Sequence, residues 1–518
     1  MSTDKRGSDK ARGSKHSGLM GERSCGVLLH ISSLPSEYGI GDMGAAAYFF
    51  ARQLRSAGQK YWQMLPLNPS NAASGESPYF SSSAFAGNPL LIDLQALIDE
   101  GLIDPAEFTV PDSLPDNEVD FTRVREFKLA VLYKAAKKIL QKSNLSGFRE
   151  FCTLQRKWLD DFVLFTVLLK REGKRSWSEW PEALRDRHPK ALDEARQELS
   201  GKLEQEKVLQ YIFFTQWQSL KNYCNSIGLD IFGDMPIYVS YESADVWANS
   251  QYFKLDAERK PTFVSGVPPD YFSATGQLWN NPVYNWECLR ADHYQWWVQR
   301  MAALFERFDI VRIDHFRGLV QYWEVPAGQA TAINGRWRDV PSYDFFNALL
   351  SAFTHFPVVV EDLGIITPDV VAVKEHYDFP GMLVLQFAFF AEQDEDENPY
   401  LPPNHVRNAL AYLGSHDNTT ARAWYEEADV DVRQRLEAFL ENDTQKLTVV
   451  EQLLDLLMSS KADIAIVTVQ DVLNLPASAR MNDPAVNEGN WKWRLSQNQF
   501  DALPIAYLAE LTQKYQRS

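Results

Sequence analysis

The sequence predicts an α/β chain folded as a (β/α)8 TIM barrel with inserted subdomains. Three observations lead to it. Eight short apolar runs, several rich in Val and Ile, each end in polar, Gly or Pro residues. Most of them lack period-2 alternation, which is how parallel strands buried on both faces should read. Most spacers between them are long enough for the helical crossover that parallel strands require.

In chain order the runs are CGVLLHISSLP from Cys25, KYWQMLPLNP from Lys60, GLDIFGDMP from Gly228 and FDIVRIDHFRG from Phe308. Then come FPVVVEDLG from Phe356, GMLVLQFAFF from Gly381, LAYLGSHDN from Leu410 and ADIAIVTVQD from Ala462. Two spacers exceed a single crossover. Residues 68–93 (NPSNAASGESPYFSSSAFAGNP and its flanks) are Ser/Pro/Gly/Asn-rich and read as an ordered loop subdomain. Residues 94–225 form a second, mainly helical insertion between the second and third strands. There Phe127, Val131, Ala135 and Ile139 fall four apart, and Trp158, Phe162, Phe165 and Leu169 follow a 4-3-4 spacing. These stripes are core in the simplest reading, and no chemistry is assigned to them. Residues 1–23 are polar, basic and Gly/Ser-rich, and read as a disordered tail ahead of a catalytic barrel spanning 24–518.

The 518 residues, 45% hydrophobic and 23% charged, have an ordinary globular balance. A formal net charge of -17 argues against a nucleic-acid partner, which demands a basic surface. No apolar run reaches the length of a bilayer span, and the N-terminus has no apolar secretory core, so no membrane role is expected. Four scattered cysteines without a C-x-x-C pair suit reduced thiols and a cytoplasmic address.

Barrel enzymes build their sites at the C-terminal ends of the strands. Those ends here hold Asp234, Asp314, Glu361 with Asp362, Asp417 and Asp471. No His/Cys cluster accompanies them to suggest a metal. For any single acid, capping of the following helix is the simpler reading; a whole ring of them resists it. Glycoside cleavage needs two carboxylates, one to protonate the leaving oxygen and one to attack or to activate water. Asp314 and Glu361, on consecutive strands, fit the spacing of a retaining enzyme. Arg312 points to the same strand face as Asp314 and would hold it ionised, although a purely structural ion pair reads equally well. The 15 tryptophans and the aromatics near strand ends (Tyr79 and Phe80, Tyr271 and Phe272, Trp279, Trp323), read as loop residues, suit the faces of glucose. They suit packing as well.

The motifs closely resemble the 4-α-glucanotransferases (amylomaltases and disproportionating enzymes, glycoside hydrolase family 77). They include GVLLHISSLPSEYGIGD, YWQMLPLNP, SPYFSSSAFAGNPLLIDL, GDMPIYV, SADVWA, GVPPDYFSATGQLW, VRIDHFRG, YWEVPAG, AINGRW, VVEDLG, LQFAF, SHDN and RMNDPAVNEGNWKWRL. The resemblance implies transfer of α-1,4-glucan segments between malto-oligosaccharides without metal or organic cofactor. It implies Asp314 as nucleophile, Glu361 as general acid then base, and Asp417 as the carboxylate that grips the sugar at the cleavage point. Arg312, His315 and His416 would support that sugar. Tyr79, Asp270, Tyr271, Phe272 and Trp279 would line the donor and acceptor subsites, with Tyr271–Phe272 resembling the flexible lid of the family. Asp234 would lie near the substrate or support the site structurally.

Three departures stand out. Asn280 follows Trp279 where the family pattern has Gly; RDVPSYDFF after Trp337 lacks a Gly-rich turn; Ser415 replaces Thr, and Thr419-Thr420 follows Asn418. None touches the three carboxylates. Two other functions fit the same residues: an α-amylase-like hydrolase, which would pass the glucosyl group to water, and a silent glucan-binding scaffold. Preference for transfer over hydrolysis rests on the resemblance.

Overall fold

A computed structural model describes residues 22–518 except 174, 270–272, 391–397, 441–446 and 487. The first three runs form β1 (Ser24–Leu28), β2 (Tyr61–Gln63) and β3 (Asp230–Met235). Two further strands, β4 (Phe263–Val267) and β5 (Gln277–Pro282), precede the fourth run, β6 (Ile310–Ile313). After β7 (Gln321–Pro326) and β8 (Arg336–Asp339), the last four runs form β9 (Val358–Val360), β10 (Gly381–Val384), β11 (Ala409–Tyr412) and β12 (Ile464–Thr468).

All eight runs join one parallel sheet in the order β10-β11-β12-β1-β2-β3-β6-β9. The sheet curls until β9 meets β10. There the Val360 N–H donates to Pro380 O at 2.8 Å, and the Met382 N–H donates to the Asp362 carboxylate at 2.7 Å. Asp362, paired with Lys374 Nζ at 2.6 Å, therefore serves the barrel seam. Gly381 leaves it room, since a Cβ there would lie 2.5 Å from the carboxylate.

Strand side chains alternate, so one face of each strand fills the barrel. Leu28, Tyr61, Phe232, Ile310, Val359, Met382, Val384, Leu410, Tyr412, Ile464 and Ile466 form that interior. Two residues further along the same faces stand Asp234, Arg312 and Glu361. An apolar floor thus supports a charged top layer at the C-terminal rim.

Between β2 and β3 the long helices Phe121–Leu140, Arg156–Arg171 and Ser200–Ser226 pack beside the barrel. Phe127, Val131, Ala135, Ile139, Phe162 and Phe165 are buried as their spacing predicts, while Trp158 and Leu169 are half-buried. The tail assigned to 1–23 falls almost wholly outside the described residues; Arg23 is already fixed, donating to Met458 O and Ser460 O.

The sequence reading missed a second sheet, antiparallel, in the order β5-β4-β7-β8. Trp279 and Trp323, read as loop residues, are strand residues of β5 and β7. The short strands carry Gly266, Asn280, Asn281 and Pro282, and a register shift interrupts β4 against β5, so no alternating pattern survives. Asn280 lies at φ +62. Asn is the side chain that best tolerates this left-handed backbone after Gly, so Asn280 can hold the kinked backbone of β5 where the family pattern has Gly. Among the described residues no helix is long and apolar enough to cross a membrane.

Candidate active site

Asp314 and Glu361 follow the neighbouring strands β6 and β9, and backbone bonds hold both in the ladder. The Asp314 N–H donates to Met235 O and the Glu361 N–H to Ile313 O, each at 3.0 Å. Arg312 lies between them with a side chain 3% exposed. Its Nη2 reaches Asp314 Oδ1 at 3.1 Å and Glu361 Oε2 at 2.9 Å. Its Nη1 reaches both Asp234 oxygens, at 2.9 and 2.7 Å, because Asp234 and Arg312 are register partners on β3 and β6. The two carboxylates keep 25% and 20% of their side-chain surface open, whereas Asp234 keeps none. Asp314 and Glu361 thus face the cleft, and Asp234 braces the guanidinium from behind.

The sequence reading gave Arg312 to Asp314 alone. The structure divides it, and Glu361 receives the better share. After Asp314 the chain turns through His315 at φ +48 and ψ +53, a left-handed conformation that a non-Gly residue keeps only under constraint. That turn aims the His315 N–H at Glu361 Oε2, at 2.7 Å. Burial raises the carboxyls of both acids. For Glu361, Arg312, the His315 N–H and the hydrogen bond with Asp314 outweigh burial and hold it below its usual range. For Asp314, burial prevails over Arg312, and the charges of Glu361 and Asp234 add to it, so its pKa stands well above the usual value. The two carboxyls are thus pulled in opposite directions, Asp314 up and Glu361 down, and titrate as a linked pair. Burial lowers the His315 imidazole to about 4, leaving it neutral near pH 7.

A second chain of contacts runs from Asp234 across the rim. The Tyr79 hydroxyl donates to Asp234 Oδ2 at 2.7 Å and lies 2.8 Å from His416 Nε2. Since the phenol's proton goes to Asp234, His416 must donate from Nε2 to the phenol oxygen. The Tyr79 and His416 rings stack at 5.4 Å with 9° between their planes, and Trp491 leans on both. His416 Nε2 also lies 3.3 Å from Asp417 Oδ1. Asn482 Nδ2 donates to that same Asp417 oxygen at 2.6 Å, and Arg480 Nη2 to the Asp417 carbonyl at 2.8 Å. Across the cleft the half-buried Trp279 meets the His315 ring edge-on at 4.8 Å and 89°.

Nine of the twelve residues to which the resemblance gives site roles thus converge on one rim: Asp314, Glu361, Asp417, Arg312, Asp234, Tyr79, His315, His416 and Trp279. Asp270, Tyr271 and Phe272 lie outside the described residues. Asp471 does not join the ring. Its carboxylate is buried and accepts the Ala421 N–H at 2.7 Å, tying down the first turn of the helix Ala421–Glu427 rather than capping the helix after its own strand. Asp362 belongs to the seam. Sequence reasoning passed over Asn482, Arg480 and Trp491, although all lie in the quoted motif RMNDPAVNEGNWKWRL; nothing in their spacing linked that stretch to Asp417.

A family model described as 4-alpha-glucanotransferase (glycoside hydrolase family 77) matches residues 29–499. The chain belongs to the 4-alpha-glucanotransferase family. Among its relatives, the 4-alpha-glucanotransferase of Streptococcus pneumoniae serotype 4 is 41% identical over 500 residues, covering 96% of this chain and 98% of the relative. That of Aquifex aeolicus is 42% identical over 476 residues, covering 92% and 96%. Amylomaltase from Streptococcus agalactiae, solved in complex with acarbose, superposes with a TM-score of 0.91 at 35% identity, covering 96% of this chain and all of that one. Membership makes the protein a 4-alpha-glucanotransferase-type enzyme acting on glucans, and it does not favour the hydrolase alternative. The barrel expected from the eight runs is the fold of these enzymes.

Proposed function

We propose that this transferase works by retaining double displacement, with Asp314 as nucleophile and Glu361 as acid/base. The observation that supports it is that both carboxylates reach the same Arg312 nitrogen from adjacent strand ends. That leaves their oxygens no more than about 6 Å apart, in keeping with attack by carboxylate rather than by an interposed water.

In the first step Asp314 attacks C1 of the donor glucosyl unit. The C1–O bond breaks, the glycosidic oxygen takes the Glu361 proton, and the reducing-end piece leaves. In the second, the 4-hydroxyl of an acceptor sugar gives its proton to Glu361, attacks C1 and releases Asp314 as carboxylate. The first step needs the pair's proton on Glu361 and Asp314 ionised. A sugar bound at the pair places its glycosidic oxygen as the acceptor beside Glu361. Arg312, unable to titrate, stabilises Asp314 as it ionises.

Asp417, poised by Asn482, would grip hydroxyls of the sugar at the cleavage point. Tyr79, His416 and His315 would form its walls, and Trp279 would offer an aromatic face to the acceptor. An acceptor sugar held in attack position and shielding C1 from water makes transfer outrun hydrolysis. Asp234 acts on Arg312 rather than on sugar. The substrates in this reading are malto-oligosaccharides and related α-1,4-glucans. The setting is the cytoplasm, which suits four cysteines that are all free thiols.

The test is incubation with maltotriose, resolving products by length while counting reducing ends. Glucose plus longer oligosaccharides at a constant count supports transfer. Shorter products with a rising count mean hydrolysis; binding without products means a scaffold.

A further inference from the structure

Arg312 has three donor groups, and the catalytic layer uses two. Nη1 serves Asp234 and Nη2 serves Asp314 and Glu361. The third, Nε, donates to the Met382 sulfur at 3.4 Å, an ordinary distance for a hydrogen bond to sulfur. Arg312 is 2% exposed and Met382 3% exposed, so the contact is shut off from bulk solvent. Met382 belongs to the apolar interior of the barrel, and its backbone is tied to the seam by the Asp362 carboxylate. Neither partner of the contact is free to drift.

The choice of acceptor has a chemical consequence. A carboxylate facing Nε would compete for the guanidinium charge that Asp314 needs as it ionises. A hydrocarbon would strand a buried charged N–H, at the cost of an unsatisfied donor. A thioether lies between: polarizable, weakly accepting and uncharged. It satisfies Nε while leaving the charge to the carboxylates.

We propose that Met382 is a positioning residue for glucan transfer, its sulfur setting the rotation of Arg312 so that Nη2 faces Asp314 and Glu361 together. The proposal rests on the roles given above to those two carboxylates.

The test uses the full chain carrying Met382→Leu, a volume-conserving change that cores tolerate, and Met382→Gln, which restores an acceptor near the sulfur position. Transfer from maltotriose is followed across pH, alongside thermal unfolding. For Met382→Leu the expected result is kcat lower by about tenfold, KM within about twofold, and little change in melting temperature. The acid limb of its kcat profile moves up by about half a pH unit, because a loosened Arg312 holds the carboxylates less well. Met382→Gln moves the limb back toward wild type. A leucine variant with the wild-type profile and rate overturns the proposal. So do leucine and glutamine variants impaired alike, which would make Met382 packing only. Failure of the two-carboxylate mechanism is read separately, since it requires Asp314→Asn to retain transfer.

Discussion

Replacing Arg312 with lysine keeps the positive charge and removes the fork. The guanidinium reaches Asp234 through Nη1 and the Asp314–Glu361 pair through Nη2, with Nε on Met382. A single ammonium cannot span these positions, so Arg312→Lys abandons either the brace or the pair. Losing the pair removes two charge-assisted bonds worth about 1.5–3 kcal/mol each, together about 3–6 kcal/mol. If that loss falls on the step in which Asp314 ionises, kcat falls by about a hundredfold to ten-thousandfold. The assay is initial-rate glucose release from maltotriose at saturating donor, with thermal unfolding of the same preparations as a control for folding. A folded Arg312→Lys variant within tenfold of wild-type kcat would refute the reasoning, because it would mean that charge alone, without the fork, suffices.

Other consequences follow from contacts nearer the periphery. Asn482→Ala removes the 2.6 Å bond to Asp417 while leaving a backbone bond between the same segments, Asn482 N–H to His416 O at 3.1 Å. It is expected to lower kcat about tenfold with little change in melting temperature; a variant that loses only stability would remove Asn482 from the site. Burial pushes the Asp471 carboxyl from 3.8 to about 6. The folded state therefore binds more protons than the unfolded between those values, so stability falls as pH rises through the window, and the ionised form costs about 3 kcal/mol above it. Asp471→Asn keeps an acceptor for the Ala421 N–H and should melt higher than wild type at pH 7.5, with the advantage fading toward pH 4. Parallel melting curves across that range would contradict this.

The barrel was legible because its strands are buried on both faces, and eight such apolar runs, spaced for helical crossovers, fit few other architectures. The antiparallel β4-β5-β7-β8 sheet was not, because its strands are punctuated by Gly, Pro and a left-handed Asn280 and take their pairing from distant segments. The same contrast holds in the site. Asp314, Glu361 and Arg312 were found because strand ends and side-chain alternation place them without tertiary knowledge. Asp362 and Asp471 occupy equally good strand ends and proved structural, a distinction that depends on which N–H each accepts. Asn482 and Met382 were invisible as site residues: one acts across 65 residues of chain, and the other is an ordinary barrel apolar residue apart from the direction of its sulfur.

The central claim, a covalent glucosyl intermediate on Asp314 resolved with help from Glu361, is tested most directly by trapping. Glu361→Gln would be treated with α-glucosyl fluoride, whose fluoride leaves without an acid, and the intact mass and peptide map recorded. The expected result is a protein heavier by one glucosyl residue, with the sugar on the peptide containing Asp314, and no adduct when Asp314→Asn is added. A variant that stays unmodified while consuming the fluoride, or that carries the sugar on another residue, would contradict it.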